Sequence, residues 1–333
     1  MIEATLKALR RRTAEFAASR RVLAGVGVCE PLYGYPSMVR AGLGHMMGAW
    51  ARCVVWTRTH SVPMLAPQWR QFRIGPYLRR ELDKRSYHPL FTSDGYVDGV
   101  PRLAAIALAR RVPEADAEAA LVAGGRGPTL VVFHDDLGWE TMRNHRDLLL
   151  SELLRITRPE YVRPALVREP FIGVHVRRGD FTQTAAEAAL RAGRKNLRTP
   201  IEWYADALTY LRSRLGGQQP ARVFSDGTDA ELGPLLGLPA VTRAPNREAI
   251  TDILALSQAS AVVASGSGFS QWACFLGQVP SLWFPGQHHY ALTADGEPPR
   301  ELEWEPGRHL PDVFVDAVSR RSTAPSYLMA RLP

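Results

Sequence analysis

The sequence predicts an α/β fold built on a parallel sheet, and three observations support this prediction. The second half of the chain alternates short apolar runs with amphipathic segments, which is typical of strands joined by crossover helices. Hydrophobic residues make up 46% of the 333 residues and charged residues 22%, so the chain can bury a core in one large or two medium domains. No apolar run approaches the roughly 20 residues that a membrane-spanning helix needs.

The first half of the chain has the less regular pattern. It predicts an amphipathic helix over residues 2–19, a strand over 21–28 and a loop rich in glycine and proline that contains residues 33–36. The other elements predicted there are a helix over 46–56, a short strand over 62–65, a strand over 129–133 and a helix over 139–156. Proline and charged residues then gather around 157–169, where we place the boundary between two domains, 1–160 and 161–333.

The second half predicts a regular succession of strands and helices. The predicted strands are 171–176, 222–224, 240–242, 261–264 and 281–284, and the predicted helices are 200–215, 247–259, 269–276 and 311–320. This succession is expected to give a parallel sheet with helices on both faces.

The chain carries a formal net charge of +8. Such an excess suits nucleic acid, an anionic membrane surface or a phosphorylated substrate, although the dominance of arginine over lysine can also follow from a GC-rich genome. No helix-turn-helix, zinc-finger or aromatic ribonucleoprotein motif is present, so we predict no nucleic-acid binding. Two alternatives stay open for residues 2–19, packing on the protein's own core or peripheral contact with an anionic membrane.

Cellular location follows from the N-terminal residues and the cysteines. The basic cluster at residues 10–12 is followed by Glu15 and Arg20, not by the long apolar stretch of a secretory signal. Cys29, Cys53 and Cys274 are odd in number and lack the close spacing of metal ligands. We therefore predict a cytoplasmic protein with reduced thiols, with peripheral contact at the inner membrane face as an extension.

The strand predicted at 171–176 ends in a cluster of charged residues. Alternation places the aliphatic side chains of 172, 174 and 176 on one face and directs His175 and Arg177 to the other, at the carboxyl edge where open α/β sheets bind ligands. Arg177 and Arg178 offer planar donor forks suited to a diphosphate. Asp180 could orient an arginine or act as a base. The structural alternative is that the arginines form ion pairs on a solvated loop and that His175 is an interior histidine.

A second segment, residues 251–272, has the order helix, strand, Gly/Ser turn, helix. The turn permits close approach of the backbone to a ligand, and Ser267, Gly268, Phe269 and Ser270 would offer N–H groups at a helix start, a favourable place for phosphate. Asp252, on the preceding helix, is a carboxylate that could accept two donors from a guanine edge. The structural alternative is that the serines cap the helix and Asp252 is a solvated surface residue.

Together these segments resemble the α1,2/α1,6-fucosyltransferase superfamily, which includes bacterial lipopolysaccharide and nodulation-factor enzymes and is related to the protein O-fucosyltransferases. The resemblance rests on His-Val-Arg-Arg-Gly-Asp at 175–180 and on Asp-Ile-x-x-Leu-Ser at 252–257 through Ser-x-Phe-Ser-x-Trp at 267–272. The Gly-Leu-Gly run at 42–44 looks like the family's amino-terminal element, and Val-Phe-Ser-Asp at 223–226 resembles its second motif. The motifs follow the family order, and the match is strongest from residue 171 onward.

The resemblance implies a fold of GT-B type, with two facing Rossmann-like domains and the donor site in the C-terminal one. It implies a GDP-fucose donor, a glycan acceptor of the surface-polysaccharide or lipopolysaccharide type, inversion at the anomeric carbon, and neither a metal nor a cofactor. By motif match the catalytic candidates are Arg177, which would contact the β-phosphate, and Asp180. The donor-binding candidates are His175, Arg178, Asp226, Asp252, Ser267, Gly268, Phe269, Ser270, Gly42, Gly44 and His45.

Some positions depart from the family pattern. His45 and Met46 replace an Asn-Gln pair, and Gly266 and Gly268 replace bulkier polar residues in the phosphate turn. The change at 45–46 puts an amino-terminal donor or acceptor contact in doubt.

The general base is a further open point. The α1,6 enzymes carry a glutamate where this chain has Ala185, with Glu187 nearby. The base therefore stays open among Asp180, Glu187 and His45. Two alternatives to fucosyl transfer also stay open, a different nucleotide-sugar donor on the same fold and a non-catalytic protein that binds a glycan or a nucleotide.

The remaining candidates are weaker. His134, Asp135 and Asp136 follow a predicted strand, but their spacing differs from the Asp-x-Asp of metal-dependent glycosyltransferases, so we predict no metal site. The pair at 288–289 could touch an acceptor or lie in a solvated loop. The large apolar residues at 272, 275 and 276 are predicted as helix core.

Overall fold

The computed structural model describes residues 31–38, 42–69, 86–123, 127–134, 138–183, 187–245, 247–323 and 328. The predicted helix over 2–19 and strand over 21–28 lie outside the described residues, as do Asp135 and Asp136. No helix in the described ranges is both long enough and apolar enough to cross a membrane.

The first half contains a three-stranded parallel sheet. Its strands are β1 (Leu32–Pro36), β2 (Arg110–Pro113) and β3 (Thr129–Phe133), in the spatial order β1-β3-β2. The prediction of a loop over 33–36 was wrong, because Leu32–Pro36 pairs in register with the buried strand Thr129–Phe133. Gly34 fits this edge strand because a Cβ there would collide with Thr57 and Cys53.

Helices cover this sheet and continue toward the second half. They are α1 (Leu43–Thr59), α2 (Gly99–Leu108), α3 (Ala117–Val122), α4 (Trp139–Met142), α5 (Arg146–Ile156) and α6 (Pro159–Val162). The predicted continuous helix over 139–156 is interrupted by the 3-10 turn Arg143–His145. There Arg143 pairs with Asp295, and Asn144 donates to the same carboxylate at 2.8 Å. The predicted strand over 62–65 forms only isolated bridges, at Met64 and Leu65.

The second half contains a six-stranded parallel sheet. Its strands are β4 (Ile172–Val176), β5 (Ala221–Ser225), β6 (Val241–Arg243), β7 (Ala261–Ala264), β8 (Ser281–Trp283) and β9 (Glu301–Glu303). The spatial order is β6-β5-β4-β7-β8-β9. The prediction of an α/β fold with parallel sheets is confirmed, and β9 is a strand that the sequence pattern did not indicate.

The helices of the second half are α7 (Glu187–Arg191), α8 (Ile201–Arg214), α9 (Gly233–Leu236), α10 (Ala249–Leu256), α11 (Gly268–Gly277) and α12 (Asp312–Thr323). The predicted alternation along β4 is confirmed. Ile172, Val174 and Val176 pack in the core cluster that contains α8, whereas a Cβ on Gly173 would collide with Leu256 of α10 on the opposite face.

The two halves share packing between α1 and α11. Trp272 donates from Nε1 to the carbonyl oxygen of Gly44 at 2.8 Å and contacts Trp139 with ring centroids 4.9 Å apart. Trp272, Phe275 and Leu276 are buried, which confirms their prediction as helix core. The core cluster that contains α1 and α5 also contains α10 and α11. The domain division at residue 160 stays a prediction.

The contact between α1 and α11 allows a matched test with two glycines. A Cβ on Gly44 would lie 3.0 Å from the carbonyl carbon of Gly268, whereas a Cβ on Gly268 would meet Gly44 at 3.6 Å, an ordinary distance. We expect Gly44→Ala to lower the free energy of unfolding by about 1–3 kcal/mol, because two helix backbones must move apart. Gly268→Ala is expected to leave the free energy of unfolding within about 0.5 kcal/mol of the wild type.

Urea unfolding of both variants measures this difference. Equal stabilities of the two variants would contradict the close approach of the helices.

Candidate functional site

The candidate site lies where the strand order of the six-stranded sheet reverses. From β4 the chain proceeds to β5 and β6 on one side, and it then returns to β7 on the other side of β4. The segments that follow β4 and β7 therefore leave the carboxyl edge in opposite directions and open a crevice between them. Such switch points are the usual ligand sites of open α/β sheets.

Arg177 lies at the end of β4 and its guanidinium contacts two carboxylates. Nη2 donates to Asp180 Oδ1 at 2.8 Å, and Nη1 lies 2.5 Å from Asp226 Oδ2. The side chain is about one-third exposed, at 32%. The two carboxylates hold the Arg177 guanidinium at the sheet edge. A bound anion would compete with these carboxylates for the guanidinium N–H groups.

Arg178 lies inside the protein, although the sequence analysis placed it among the donor-binding residues. Its side chain is buried and donates from Nη1 to the carbonyl oxygen of Thr199 at 3.0 Å. Its backbone N–H donates to Asp226 Oδ1 at 2.7 Å. Asp226 therefore holds the turn after β4 through both Arg177 and Arg178. Gly179 is required there, because a Cβ would collide with the Asp226 carboxylate.

The Gly/Ser turn follows β7 and leads into α11. Ser267 is the N-cap, but its side chain makes no capping hydrogen bond. Its N–H donates to the carbonyl oxygen of Ser265 at 2.7 Å, so the prediction that Ser267 offers an N–H to a ligand was wrong. The N–H groups of Gly268, Phe269 and Ser270 are in the first turn, where a helix supplies no acceptor. They present the positive end of the α11 dipole to the crevice.

His175 joins β4 to the Gly/Ser turn. Its Nδ1 lies 2.7 Å from Ser270 Oγ and 2.9 Å from Ser265 Oγ, and its ring stacks on Phe269 with centroids 4.5 Å apart. Burial, with the charge of Arg177 as a smaller cause, lowers the pKa of His175 to about 3. The imidazole is therefore neutral near pH 7. This geometry gives His175 a positioning role beneath the turn.

Asp252 lies in the first turn of α10. Leu256 of the same helix contacts β4, and Asp252 lies four residues, or about one turn, before it. Asp252 is therefore on the same face of α10 and about 6 Å nearer the carboxyl edge of the sheet. Its Oδ1 is buried and has no hydrogen-bond partner among the described residues. Burial raises the pKa of Asp252 to about 7, while Arg247 lowers it and Glu248 raises it by smaller amounts. A buried acceptor of this kind is suited to a ligand that brings donors.

The start of α1 meets the start of α11. Gly42, the N-cap of α1, has no side chain that could cap the helix, and Gly44 lies against Gly268. His45, in the same first turn, is exposed. Two helix N-termini therefore converge beside the crevice, and both favour an anion. The glycine run at 42–44 and the turn at 265–268 were predicted as parts of one site, and the structure brings them together.

Other candidates have different surroundings. Glu187 pairs with Arg191 on the surface of α7 at 2.9 Å. His288 and His289 are both half-buried with a fully buried Nε2, and this burial lowers the pKa of each. The described residues contain no cluster of three or more His, Cys, Asp or Glu that could hold a metal ion.

Sequence reasoning missed one buried residue beside the turn. Gln287 is 1% exposed, donates from Nε2 to the carbonyl oxygen of Leu190 at 2.8 Å, and directs its Oε1 at Gly266. A Cβ on Gly266 would collide with this Oε1. The glycine at 266, noted as a departure from the family pattern, was the available signal that another side chain occupies this space.

Comparisons with known proteins give a structural likeness only. No family model matches the chain, and no curated protein matches it. Among solved structures, NodZ α-1,6-fucosyltransferase soaked with GDP-fucose is similar over 77% of this chain and 95% of its own, at 18% identity and a TM-score of 0.46. Fucosyltransferase NodZ from Bradyrhizobium gives 16% identity and a TM-score of 0.45, over 75% of this chain and 94% of its own.

A complex of POFUT1 with GDP is also similar, over 78% of this chain and 99% of its own, at 12% identity and a TM-score of 0.43. At these identities and scores the function has to be argued from the site itself.

Proposed function

We propose that this chain is an inverting glycosyltransferase that transfers fucose from GDP-fucose to a glycan hydroxyl. The observation that carries the proposal is the adjacency of β4 and β7, which brings the Arg177 fork and the uncapped start of α11 to the same carboxyl edge of the sheet. A diphosphate fits these groups, because a guanidinium and helix N–H groups both bind phosphate oxygens. The motif resemblance adds the donor: GDP as the nucleotide and fucose as the sugar.

Each group has a distinct task in this proposal. Arg177 contacts the β-phosphate and stabilises the negative charge that develops as the glycosidic bond breaks. The first turn of α11 contacts the other phosphate oxygens. Asp252 accepts donors from guanine. Asp226 and His175 hold the two turns in place and do not contact the reacting atoms.

The general base that activates the acceptor hydroxyl is chosen among three residues. Asp180 pairs with Arg177, and Glu187 pairs with Arg191 on the surface of α7. His45 is exposed at the start of α1, beside Gly268 through its neighbour Gly44. We propose His45 as the base for an acceptor that approaches from the side of the three-stranded sheet. No metal ion or cofactor is part of this mechanism.

The acceptor in this proposal is a surface polysaccharide or a lipopolysaccharide glycan. Such acceptors are assembled at the inner membrane face, which fits a cytoplasmic enzyme with a basic, amphipathic segment at residues 2–19.

A nucleotide panel followed by a transfer assay tests the function. GDP is expected to raise the melting temperature more than UDP, ADP or CMP, and GDP-fucose is expected to be consumed in the presence of excess EDTA. Equal shifts for all nucleotides would contradict the guanine assignment. Binding of GDP-fucose with neither hydrolysis nor transfer would favour the non-catalytic alternative, and activity lost in EDTA and restored by Mg²⁺ would contradict the metal-free mechanism.

A further inference from the structure

A cavity of about 260 Å³ lies at the carboxyl edge of the three-stranded sheet, outside the crevice described above. It is lined by Tyr35, Ser37, Arg111, Val112, Pro113, Val132 and His134. Tyr35, Val132 and Pro113 are at the same level of three adjacent strands and on the same face. They form an apolar and aromatic floor, and the polar residues surround it.

Three polar side chains of this cavity, those of Arg111, Ser37 and His134, pair with no other residue in the described part of the chain, whereas the Tyr35 ring has the Arg102 guanidinium 5.9 Å from its centroid. Arg111 is exposed and forms no ion pair with any described residue. The hydroxyl of Ser37 and the imidazole of His134 likewise make no hydrogen bond within the described ranges. None of the described residues that line the cavity carries a carboxylate. A few converging polar groups above an apolar floor are typical of a small-molecule site, and the unpaired guanidinium selects an anion.

The position of the cavity relates it to the crevice. Ser37 follows β1, and Gly42, the N-cap of α1, is five residues further along the chain. Five residues span at most about 18 Å, so Ser37, which lines the cavity, lies within that distance of Gly42, and Gly44, which meets Gly268, is two residues further along the chain. A short oligosaccharide can reach from one to the other.

We propose that this cavity binds an acidic sugar residue of the acceptor, with Arg111 on its carboxylate or phosphate and Tyr35 against its ring. The identification of the ligand as part of the acceptor rests on the proposed function. The binding of an anionic ligand is independent of that function, because it rests on Arg111 and on the apolar floor of the cavity. The site therefore selects acceptors that carry a uronate or a sugar phosphate near the hydroxyl that receives fucose.

Binding of three monosaccharides to the full chain tests the proposal: methyl β-D-glucuronide, glucose 6-phosphate and methyl β-D-glucoside, measured by saturation-transfer NMR. We expect at least tenfold tighter binding of one or both acidic sugars than of the neutral one. Arg111→Gln should remove this preference. Arg110→Gln should retain the preference, because Arg110 is the neighbour of Arg111 on β2 but is not among the residues that line the cavity. Circular dichroism checks that both variants are folded.

Equal binding of acidic and neutral sugars, or a preference that survives in Arg111→Gln, would overturn the inference. GDP binding, measured in the same samples, separates this result from the proposed function. If GDP binds and acidic sugars do not, the cavity proposal alone fails. If acidic sugars bind with the expected preference and GDP does not, the cavity site stands and the transferase proposal fails.

Discussion

Replacement of Arg177 by alanine is expected to reduce turnover by roughly 10²–10³, which corresponds to about 3–4 kcal/mol of transition-state stabilisation. The guanidinium lies at the end of β4 in the crevice, within 2.8 Å of Asp180 and 2.5 Å of Asp226. In the proposed reaction, negative charge moves onto the β-phosphate as the bond to the sugar breaks. An arginine fixed at that point stabilises the transition state more than the bound donor.

Arg177→Lys is expected to be nearly as inactive as Arg177→Ala. Lysine keeps the positive charge but loses the planar fork, which can contact two oxygens at once. A matched control is Arg214→Ala, which removes an ion pair with Asp312 at 2.7 Å at the C-terminal end of α8. That change removes a comparable surface interaction away from the crevice and should leave turnover within about twofold of the wild type.

Turnover is measured with GDP-fucose, together with circular dichroism to establish that each variant is folded. All these substitutions leave the aliphatic face of β4 intact, so folding should be retained. A folded Arg177→Ala protein with near-normal turnover would rule out the proposed role of this residue, whatever the motif resemblance implies.

Asp180 can be assigned by the same assay. If it only holds Arg177, Asp180→Asn should reduce turnover by less than about tenfold, because Asp226 still contacts the guanidinium. A loss of 10² or more with an unchanged KM for the donor would instead make Asp180 the general base and remove His45 from that role.

The parts of the fold that the sequence predicted are those with strong local periodicity. β4 could be predicted with its two faces, because aliphatic residues at 172, 174 and 176 alternate with Gly173 and His175. The strands at 129–133 and 261–264 were predicted at their observed bounds, because both are short, fully buried apolar runs. Local composition was misleading at 33–36, where glycine and proline indicate a turn but pairing with β3 makes a strand.

The site could be predicted only as far as residue types and strand ends allow. Alternation places Arg177 at the carboxyl edge, but it gives no direction to Arg178, which lies beyond the strand. The buried guanidinium of Arg178 donates to the carbonyl oxygen of Thr199, 21 residues away, and the backbone N–H of Arg178 donates to Asp226, 48 residues away. The serine partners of His175 are likewise 95 and 90 residues distant in sequence. Long-range contacts of this kind decide which residues face a ligand and which hold the site together.

GDP affinity is expected to rise with pH through about pH 7 because of Asp252. Burial raises the pKa of this carboxyl group to about 7, and its buried Oδ1 has no partner in the described part of the chain. Guanine presents two N–H donors, which favour the ionised carboxylate, so binding releases a proton whenever Asp252 is protonated beforehand. Affinity should therefore be constant well above pH 7 and fall by up to tenfold for each unit below it.

The phosphates of GDP also titrate, and the Asp252→Asn variant accounts for them. This variant keeps the shape of the side chain but has no ionisable group, so any pH dependence that remains belongs to the nucleotide. We expect weaker GDP binding at pH 8, by about tenfold or more, because the amide nitrogen would face a guanine donor. The difference between the two proteins should decrease as the pH falls below 7, where the wild-type carboxyl group is increasingly neutral.

Two neighbouring charges make the assignment of the titration to Asp252 specific. Glu248 raises the pKa of Asp252 and Arg247 lowers it. Glu248→Gln should therefore move the midpoint of the affinity profile to lower pH, and Arg247→Gln should move it to higher pH. Isothermal titration calorimetry with GDP between pH 5.5 and pH 8.5 measures all four proteins. A profile that is identical in the wild type and in Asp252→Asn would remove Asp252 from the guanine site. A midpoint moved to higher pH in Glu248→Gln, or to lower pH in Arg247→Gln, would show that another group titrates.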